Sequence, residues 1–567
     1  MPETGRQAIL EQFLCDGFRY MFGNPGTVEQ GFLDALKDYP DLRYILTLQE
    51  TVAVMVADGY ARATRKPALV QIHSTPGLGN SIGALYQAMR GHSPLVVIGG
   101  DSGIRYQAMD SQMAGDLVGM AKPVTKWSTM VQDSASLLRV LRRAIKIAAT
   151  PPMGPVYVCL PMDILDAPCT EEVRPTPIPS TRVAPEPSLV AKAADMLAAA
   201  ERPVFFVGDG IAYSDAQMEL TRLAEMLGAE VWEADAGEVN MDYSHPLYHG
   251  MTGHMFGANS APITAKGDVN FICGTYVLPE VFPQLGDIFG PNAKVVHVDL
   301  NLYEIGKNHR VDVGLLGDPK TTLAQLAAEL DRKLSPQQKK SARDRMETQR
   351  QDKETKRAAE LKSDASGADA TPIRMPRFAQ ELAKRVPPGT ILFDEALTNS
   401  PPLTRHLPPD ATANYFLTRG GSLGVGFPGA IGAKMANPDK TVIGFSGDGG
   451  AMYTIQALWT AARHNTDVKF VVCNNASYKL LQLNIGVYWQ EREIQKHDFP
   501  LSFDLSRPPL RFDELARGMG VPGVRVEKPA EIGPAIDQAL AHSGPFLIDL
   551  VLEGDTHPDR VGNTCGQ

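Results

Sequence analysis

The sequence predicts an α/β protein of three Rossmann-like domains, each a parallel sheet flanked by helices. Two observations carry this prediction. Short apolar runs such as YILTLQ, GPVYVCLP, RPVFFVGDG, AKVVHVDL, TVIGFS and VKFVVC read as buried strands, and helical segments separate them. Such alternation builds parallel sheets covered by helices. Two composition breaks then divide the chain: the Pro-rich stretch APCTEEVRPTPIPSTRVAPEP, and the charged stretch that opens SPQQKKSARDRMETQRQDKETKRAAELK. Pro-rich sequence reads as an extended connector. The charged stretch lacks a large apolar face and reads as one exposed helix followed by a flexible tail. The expected units are 1–168, 185–335, a charged linker at 336–372, 373–555, and a C-terminal tail at 556–567.

Composition bounds the function. A chain of 567 residues is long enough for three or four domains with sizeable cores. Hydrophobic content of 43% and charged content of 21% describe an ordinary globular protein. A net charge of −10 without a basic tract argues against a nucleic-acid partner. Six cysteines lie far apart without CxxC spacing. Cys15, Cys159, Cys273 and Cys473 sit in apolar contexts and read as small core residues rather than a disulfide framework. No signal-peptide pattern opens the chain and no apolar run approaches a membrane span, so the expected setting is the cytoplasm, with no membrane partner.

The chemistry-bearing element of the last block is Gly447-Asp448-Gly449 after the strand TVIGFS, with Asn474-Asn475 after the next strand, VKFVVC. Neighbouring parallel strands end side by side, so Asp448 and Asn475 should converge. A carboxylate and a carboxamide there suit a hard divalent ion such as magnesium, with room left for phosphate oxygens. The flanking glycines let a diphosphate approach the backbone and a helix start. In the first block Glu50 ends the run YILTLQ just before a helix, and the strand that follows leads into IHSTPGLGN.

This GDG…NN pattern resembles the signature of thiamin diphosphate (ThDP) enzymes. The runs FGNPGT, LQE, IHSTPGLGN, GHSPLVVIGG, PVTKWS, GPVYVCLPMD, SHPLYHG, GGSLGVGFPGAIG, GDGG and NNASY extend the resemblance over nearly the whole chain. They make it similar to benzoylformate decarboxylase and its relatives, within the decarboxylase and acetolactate synthase branch. The resemblance implies a pyrimidine-binding first domain, a Rossmann-like middle domain and a diphosphate-binding last domain. It implies ThDP and Mg2+ as cofactors, and a homotetramer (a dimer of dimers) with active sites between subunits. The implied activity is non-oxidative decarboxylation of a 2-oxo acid through ylide attack and an enamine. Carboligation of the acetolactate synthase kind and cleavage of a 2-hydroxyacyl-coenzyme A are alternatives. A non-catalytic nucleotide-binding protein of the same fold is a distant one, opposed by retention of Glu50, Asp448 and Asn475.

Residue by residue, the resemblance makes Glu50 the activator of the aminopyrimidine and His73 an acid–base residue. Thr27 replaces a serine that binds the substrate carboxylate, and His245 aligns with a second catalytic histidine. Leu423 would wedge between the two cofactor rings, and the carbonyl of Gly421 would accept from the cofactor's amino group. Asn80, Leu397, Thr398, Gly449, Gly450 and Tyr478 are further cofactor contacts. The metal shell would be Asp448, Asn475 and the main-chain carbonyl of Ser477. Leu481 stands where pyruvate decarboxylases carry a glutamate. Leu417 and Asn484 replace two aromatic pocket positions of benzoylformate decarboxylase, which disfavours a bare phenyl substrate because a buried amide needs a partner. Tyr488, Trp489 and Glu493, within the segment LLQLNIGVYWQEREIQKHDFP, are candidate entrance contacts. The middle-block turn VGDGIAYSDAQ could hold FAD or an adenine nucleotide, but one Gly-rich turn is weak evidence and an empty loop is the favoured reading. The first and last blocks also echo one another: ADGYARATRKPALVQIHSTPGLGNSIGAL runs parallel to GAIGAKMANPDKTVIGFSGDGGAMYTIQAL.

Overall fold

The computed structural model describes residues 4–234, 236–253, 255–277, 279–410 and 414–554. The expected tail at 556–567 lies outside them. Three six-stranded, all-parallel sheets follow one another along the chain. The first contains β1 (Tyr20–Gly23), β2 (Arg43–Leu46), β3 (Ala68–Ile72), β4 (Leu95–Asp101), β5 (Trp127–Met130) and β6 (Val156–Pro161), in the order β2-β1-β3-β4-β6-β5. The second contains β7 (Pro203–Val207), β8 (Glu230–Glu233), β9 (Tyr248–Met251), β10 (Val269–Cys273), β11 (Lys294–Asp299) and β12 (Val313–Leu316), in the order β12-β11-β10-β7-β8-β9. The third contains β13 (Ile391–Glu395), β14 (Tyr415–Leu417), β15 (Val442–Gly447), β16 (Lys469–Asn474), β17 (Gly523–Val526) and β18 (Phe546–Val551). Its order, β14-β13-β15-β16-β18-β17, repeats that of the first sheet, strand for strand.

The central strands are apolar runs rich in β-branched residues, and β3, β4 and β16 are buried along their whole length. That is what a parallel sheet covered on both faces requires. The first and third sheets share one apolar core. Two helices join them there, Glu50–Thr64 and Gly426–Ala436. Glycine is required at this crossing: a Cβ on Gly59 would strike the backbone of Gly429, and one on Gly432 would strike the Val56 carbonyl. The Gln49 side chain caps the first helix by accepting from Thr51 and Val52 N–H groups, which orients Glu50 at its start.

The charged stretch forms a single helix, Pro336–Ala365, opened by a capping box between Ser335 and Gln338. It straps the middle domain: Gln349 donates to the Gly228 carbonyl at 3.0 Å, and Lys353 Nζ donates to the carbonyls of Tyr243, His245 and Tyr248 at 2.7–2.8 Å. At its far end Asp364 pairs with Arg405 of the third domain at 2.7 Å. Among the described residues no helix is long and apolar enough to cross a membrane.

Candidate active site

In the third sheet β15 and β16 run side by side, with Gly447 opposite Cys473, so Asp448 and Asn475 leave adjacent strand ends. Asp448 is 3% exposed. Its Oδ1 accepts from the Gly449 N–H at 2.8 Å, while its Oδ2 is buried with no hydrogen-bond partner among the described residues. Burial pushes this carboxyl from 3.8 up to about 6, against the pull of the backbone N–H groups of Gly449, Ala476 and Ser477. An unpartnered buried carboxylate oxygen is costly, and a cation at this oxygen would offset that cost. Asn475 Oδ1 accepts from the Ser477 N–H at 3.1 Å across a turn in which Ala476 is left-handed, with φ 55°. The ring of Tyr478 packs on Gly449, where a Cβ would collide with it. One carboxylate, one carboxamide and a main-chain carbonyl are oxygen donors that fit magnesium. No cluster of three His, Cys, Asp or Glu side chains exists among the described residues, so any such ion would rest on this mixed set.

The loop carrying Leu423 is held by a residue that sequence reasoning missed. Glu395, buried at the end of β13, accepts from the N–H groups of Gly424 (2.6 Å), Val425 (3.3 Å) and Gly426 (2.9 Å), and from Ser446 Oγ (3.0 Å). Burial pushes its carboxyl up to about 7. The positive φ angles of Gly420, Gly421 and Gly424, 70–99°, need glycine and let the chain reverse around this anchor. Leu423 and Gly421 line a cleft of about 1190 Å³. Leu397, at a left-handed φ of 52°, and Thr398 share it. So do Leu417, Asp448, Gly449, Gly450, Asn475, Ser477, Tyr478 and Leu481.

The first sheet builds a second constellation. Glu50 is 4% exposed, and both its oxygens are satisfied: Oε1 by Asn24 Nδ2 and Oε2 by Asn80 Nδ2, each at 3.0 Å. A Cβ on Gly77 would come within 2.9 Å of Oε1. His73 is the N-cap residue of the helix Ser74–Arg90, directly after β3. Its Nδ1 lies 2.8 Å from Glu29 Oε2, another contact that the sequence did not announce. Thr27 is exposed on the loop before Glu29.

Glu50, His73, Thr27 and Asn80 do not line the cleft that holds Asp448. Within one chain the Asp448 cleft and the Glu50 constellation are lined by different residues. Two expectations are corrected. His245 is at neither of these: its Nδ1 accepts from the Leu247 N–H at 3.2 Å, its Nε2 lies 3.3 Å from Glu225 Oε1, and its carbonyl is bound by Lys353, so its work is to hold the turn before β9. Asn484 is not a cleft residue either; it lies on the helix Lys479–Glu491 one turn past Leu481, the last residue of that helix to reach the cleft. The entrance residues also divide. Trp489 is buried, stacked on Phe499 at 5.7 Å, and Tyr488 is exposed.

The middle-domain turn has its donors engaged. The N–H groups of Gly208, Gly210, Ile211 and Ala212 go to Cys273, Gly274, Gly208 and Asn240. Asp209 accepts from the N–H groups of Gly237 and Glu238 and pairs with Arg419. A phosphate would have to displace these contacts.

Comparison with known proteins agrees with this geometry. Residues 3–120, 190–326 and 400–550 match the N-terminal TPP binding, central and C-terminal TPP binding domains of thiamine pyrophosphate enzymes. The chain is 30% identical over 570 residues to a probable acetolactate synthase large subunit of Methanocaldococcus jannaschii, covering 97% of this chain and 92% of that one. It is also 30% identical over 553 residues to benzoylformate decarboxylase of Pseudomonas aeruginosa, covering 97% and 98%. The structure of a Rhodococcus jostii RHA1 thiamine diphosphate-dependent 4-hydroxybenzoylformate decarboxylase superposes with a TM-score of 0.83 at 25% identity, covering 97% and 99%. With three matching domains in order and the GDG…NN and Glu50 constellations both formed, the chain belongs to the thiamin diphosphate-dependent enzymes.

Proposed function

We propose that the chain is a ThDP- and magnesium-dependent decarboxylase of a 2-oxo acid, working as a cytoplasmic homotetramer. When bound, ThDP supplies a thiazolium that accepts the electrons of the broken carbon–carbon bond. Asp448, Asn475 and the Ser477 carbonyl would hold magnesium and through it the diphosphate. Leu423 and the Gly421 carbonyl would orient the two rings. Glu50 would hold the proton at the aminopyrimidine, its carboxyl oriented by Asn24 and Asn80. Because Glu50 does not line the Asp448 cleft of its own chain, the reading has the site completed by the Glu50 of a second copy.

The observation that carries decarboxylation is His73. Releasing an aldehyde requires one proton at the carbon that carbon dioxide leaves, and a positioned imidazole with an acidic partner supplies such a proton. Carboligation replaces that proton by a second carbonyl; the identity shared with an acetolactate synthase keeps it as the second reading. An acyl-coenzyme A substrate is a third, supported by a cleft that continues beyond the Asp448 end to Lys356 and Arg357. Holoenzyme incubated with pyruvate, benzoylformate, branched 2-oxo acids and 2-hydroxyacyl-coenzyme A esters decides among them. Aldehyde and carbon dioxide in equal amounts are expected; a 2-hydroxy-2-methyl-3-oxo acid or a free thioester product would replace the decarboxylase reading.

A further inference from the structure

Glu29 has no role in the assignments above, yet it is the most deliberately enclosed acid of the first domain. It is 1% exposed. One oxygen, Oε1, accepts from the Gly100 N–H at 3.1 Å, and the other lies 2.8 Å from His73 Nδ1. Two glycines make room for the pair. A Cβ on Gly26 would fall inside the His73 ring, and one on Gly100 would collide with Glu29 Oε1. The pair therefore lies between two backbone segments that only glycine allows to come this close. His73 keeps 16% of its side chain exposed, and among the described residues its Nε2 has no partner. Tyr44, Tyr157 and Cys159 feel the field of Glu29, and burial raises all three, so they stay protonated and neutral. His73 is the cation-forming group that faces the carboxylate.

Resting on the decarboxylase reading, we propose that Glu29 is the positioning residue for His73: by accepting from Nδ1–H it fixes the tautomer and aims Nε2 at the substrate. The physical reason is that the hydrogen bond made by one ring nitrogen decides what the other can do. The step then moves one proton. The Nε2–H bond of the imidazolium breaks and a C–H bond forms at the carbon vacated by carbon dioxide. The imidazole is left neutral with Nδ1–H still on Glu29, and solvent returns the proton to Nε2. Glu29 touches no reacting atom.

The test joins a spectroscopic readout on the cofactor-free protein to kinetics on the holoenzyme. In histidine-selective 15N spectra, the His73 signal is identified by its loss in His73→Ala. Wild type should show a protonated Nδ1 and a bare Nε2 in the neutral form, and Glu29→Gln should shift His73 toward the Nε2–H tautomer. With benzoylformate, pyruvate and a branched aliphatic 2-oxo acid, Glu29→Gln should lower kcat roughly 10–100-fold, part of the 10²–10⁴ range of acid–base catalysis. KM should change little. In the His73→Ala background the same substitution should add less than about twofold, because the two residues act as a unit. An unchanged tautomer in Glu29→Gln, or an undiminished effect in the His73→Ala background, overturns the proposal. If wild-type holoenzyme releases aldehyde from none of the three acids, the decarboxylase reading fails, while the tautomer result still decides the part played by Glu29. Gly100→Ala, which displaces Glu29 without changing either member of the pair, should reproduce the tautomer shift; a normal spectrum there would also count against the proposal.

Discussion

His73 and Asp448 occupy the same station in two sheets of identical strand order. Each follows the third position of its sheet, at the end of β3 or β15, and each stands at the start of a helix. Their partners differ. His73 meets Glu29, which follows β1, whereas Asp448 is joined by Asn475, which follows the neighbouring β16. Every oxygen of Glu50 and Glu29 is satisfied within the chain, while one oxygen of Asp448 has no partner among the described residues. The contrast teaches that shared topology places a polar side chain at a strand end, and that local pairing then decides its use. Under the proposed function the fully paired acids would orient a proton and the half-paired acid would take a cation. The middle sheet, with its different strand order, shows the third outcome, since its turn satisfies its own donors.

This contrast can be broken most severely at Glu50. Glu50→Gln keeps the hydrogen-bond geometry with Asn24 or Asn80 but removes the acid, so turnover should fall roughly 10²–10⁴-fold with ThDP affinity nearly unchanged. Steady-state kinetics beside a cofactor titration measure both, and near-normal turnover would remove Glu50 from the chemistry. Asp448→Ala should do the reverse and act on binding. Removing one partner of a buried ion pair costs about 3 kcal/mol, so magnesium-dependent ThDP affinity should weaken on the order of 100-fold. Calorimetry that finds an unchanged affinity would refute the metal assignment.

A smaller effect sharpens the same point through pH. Asp448 in the cofactor-free protein is raised from 3.8 to about 6. A proton and a divalent ion compete for it, so affinity for magnesium should fall by up to roughly tenfold per pH unit below about 6. Asp448→Ala should lose that dependence. The sign for stability is opposite to that of a salt-bridged acid. The folded pKa lies above the unfolded one, so this group favours the cofactor-free fold at low pH, and its contribution is lost as pH rises through about 6.

The smallest effect concerns substrate choice. With Asn484 outside the cleft, the case against benzoylformate rests on Leu417 alone. One lost aromatic contact is worth roughly 0.5–1.5 kcal/mol, so an aliphatic 2-oxo acid should exceed benzoylformate in kcat/KM by up to about tenfold. A matched substrate series in which benzoylformate ranks first would show that Leu417 does not set the preference.

Much of the candidate site was legible before folding because its residues announce themselves locally. A strand, a Gly-Asp-Gly turn and a helix are contiguous in sequence, and so are a strand, a histidine and a Gly-rich helix start. What was not legible depends on contacts between distant segments. Glu29 looks like one acid among many in VEQGFL, and only its burial against His73, 44 residues away, gives it meaning. Glu395 ends an apolar run, ILFDE, and the only hint was a pair of acids closing a buried strand. His245 misled because its local sequence resembles a catalytic neighbourhood while its turn is docked on the strap helix.

The sequence by itself determined the alternation of strands and helices, an echo between the first and last blocks, and the residue types at the ends of β3, β15 and β16. Those properties follow from periodicity and turn chemistry, which act over a few residues. The tertiary structure decided which acids are paired and which stay open, that Glu395 holds the loop of Leu423, and that Glu50 does not line the cleft of Asp448. Each of these depends on which groups are withdrawn from water together, and that is settled only when sheets and helices from separate parts of the chain pack against one another.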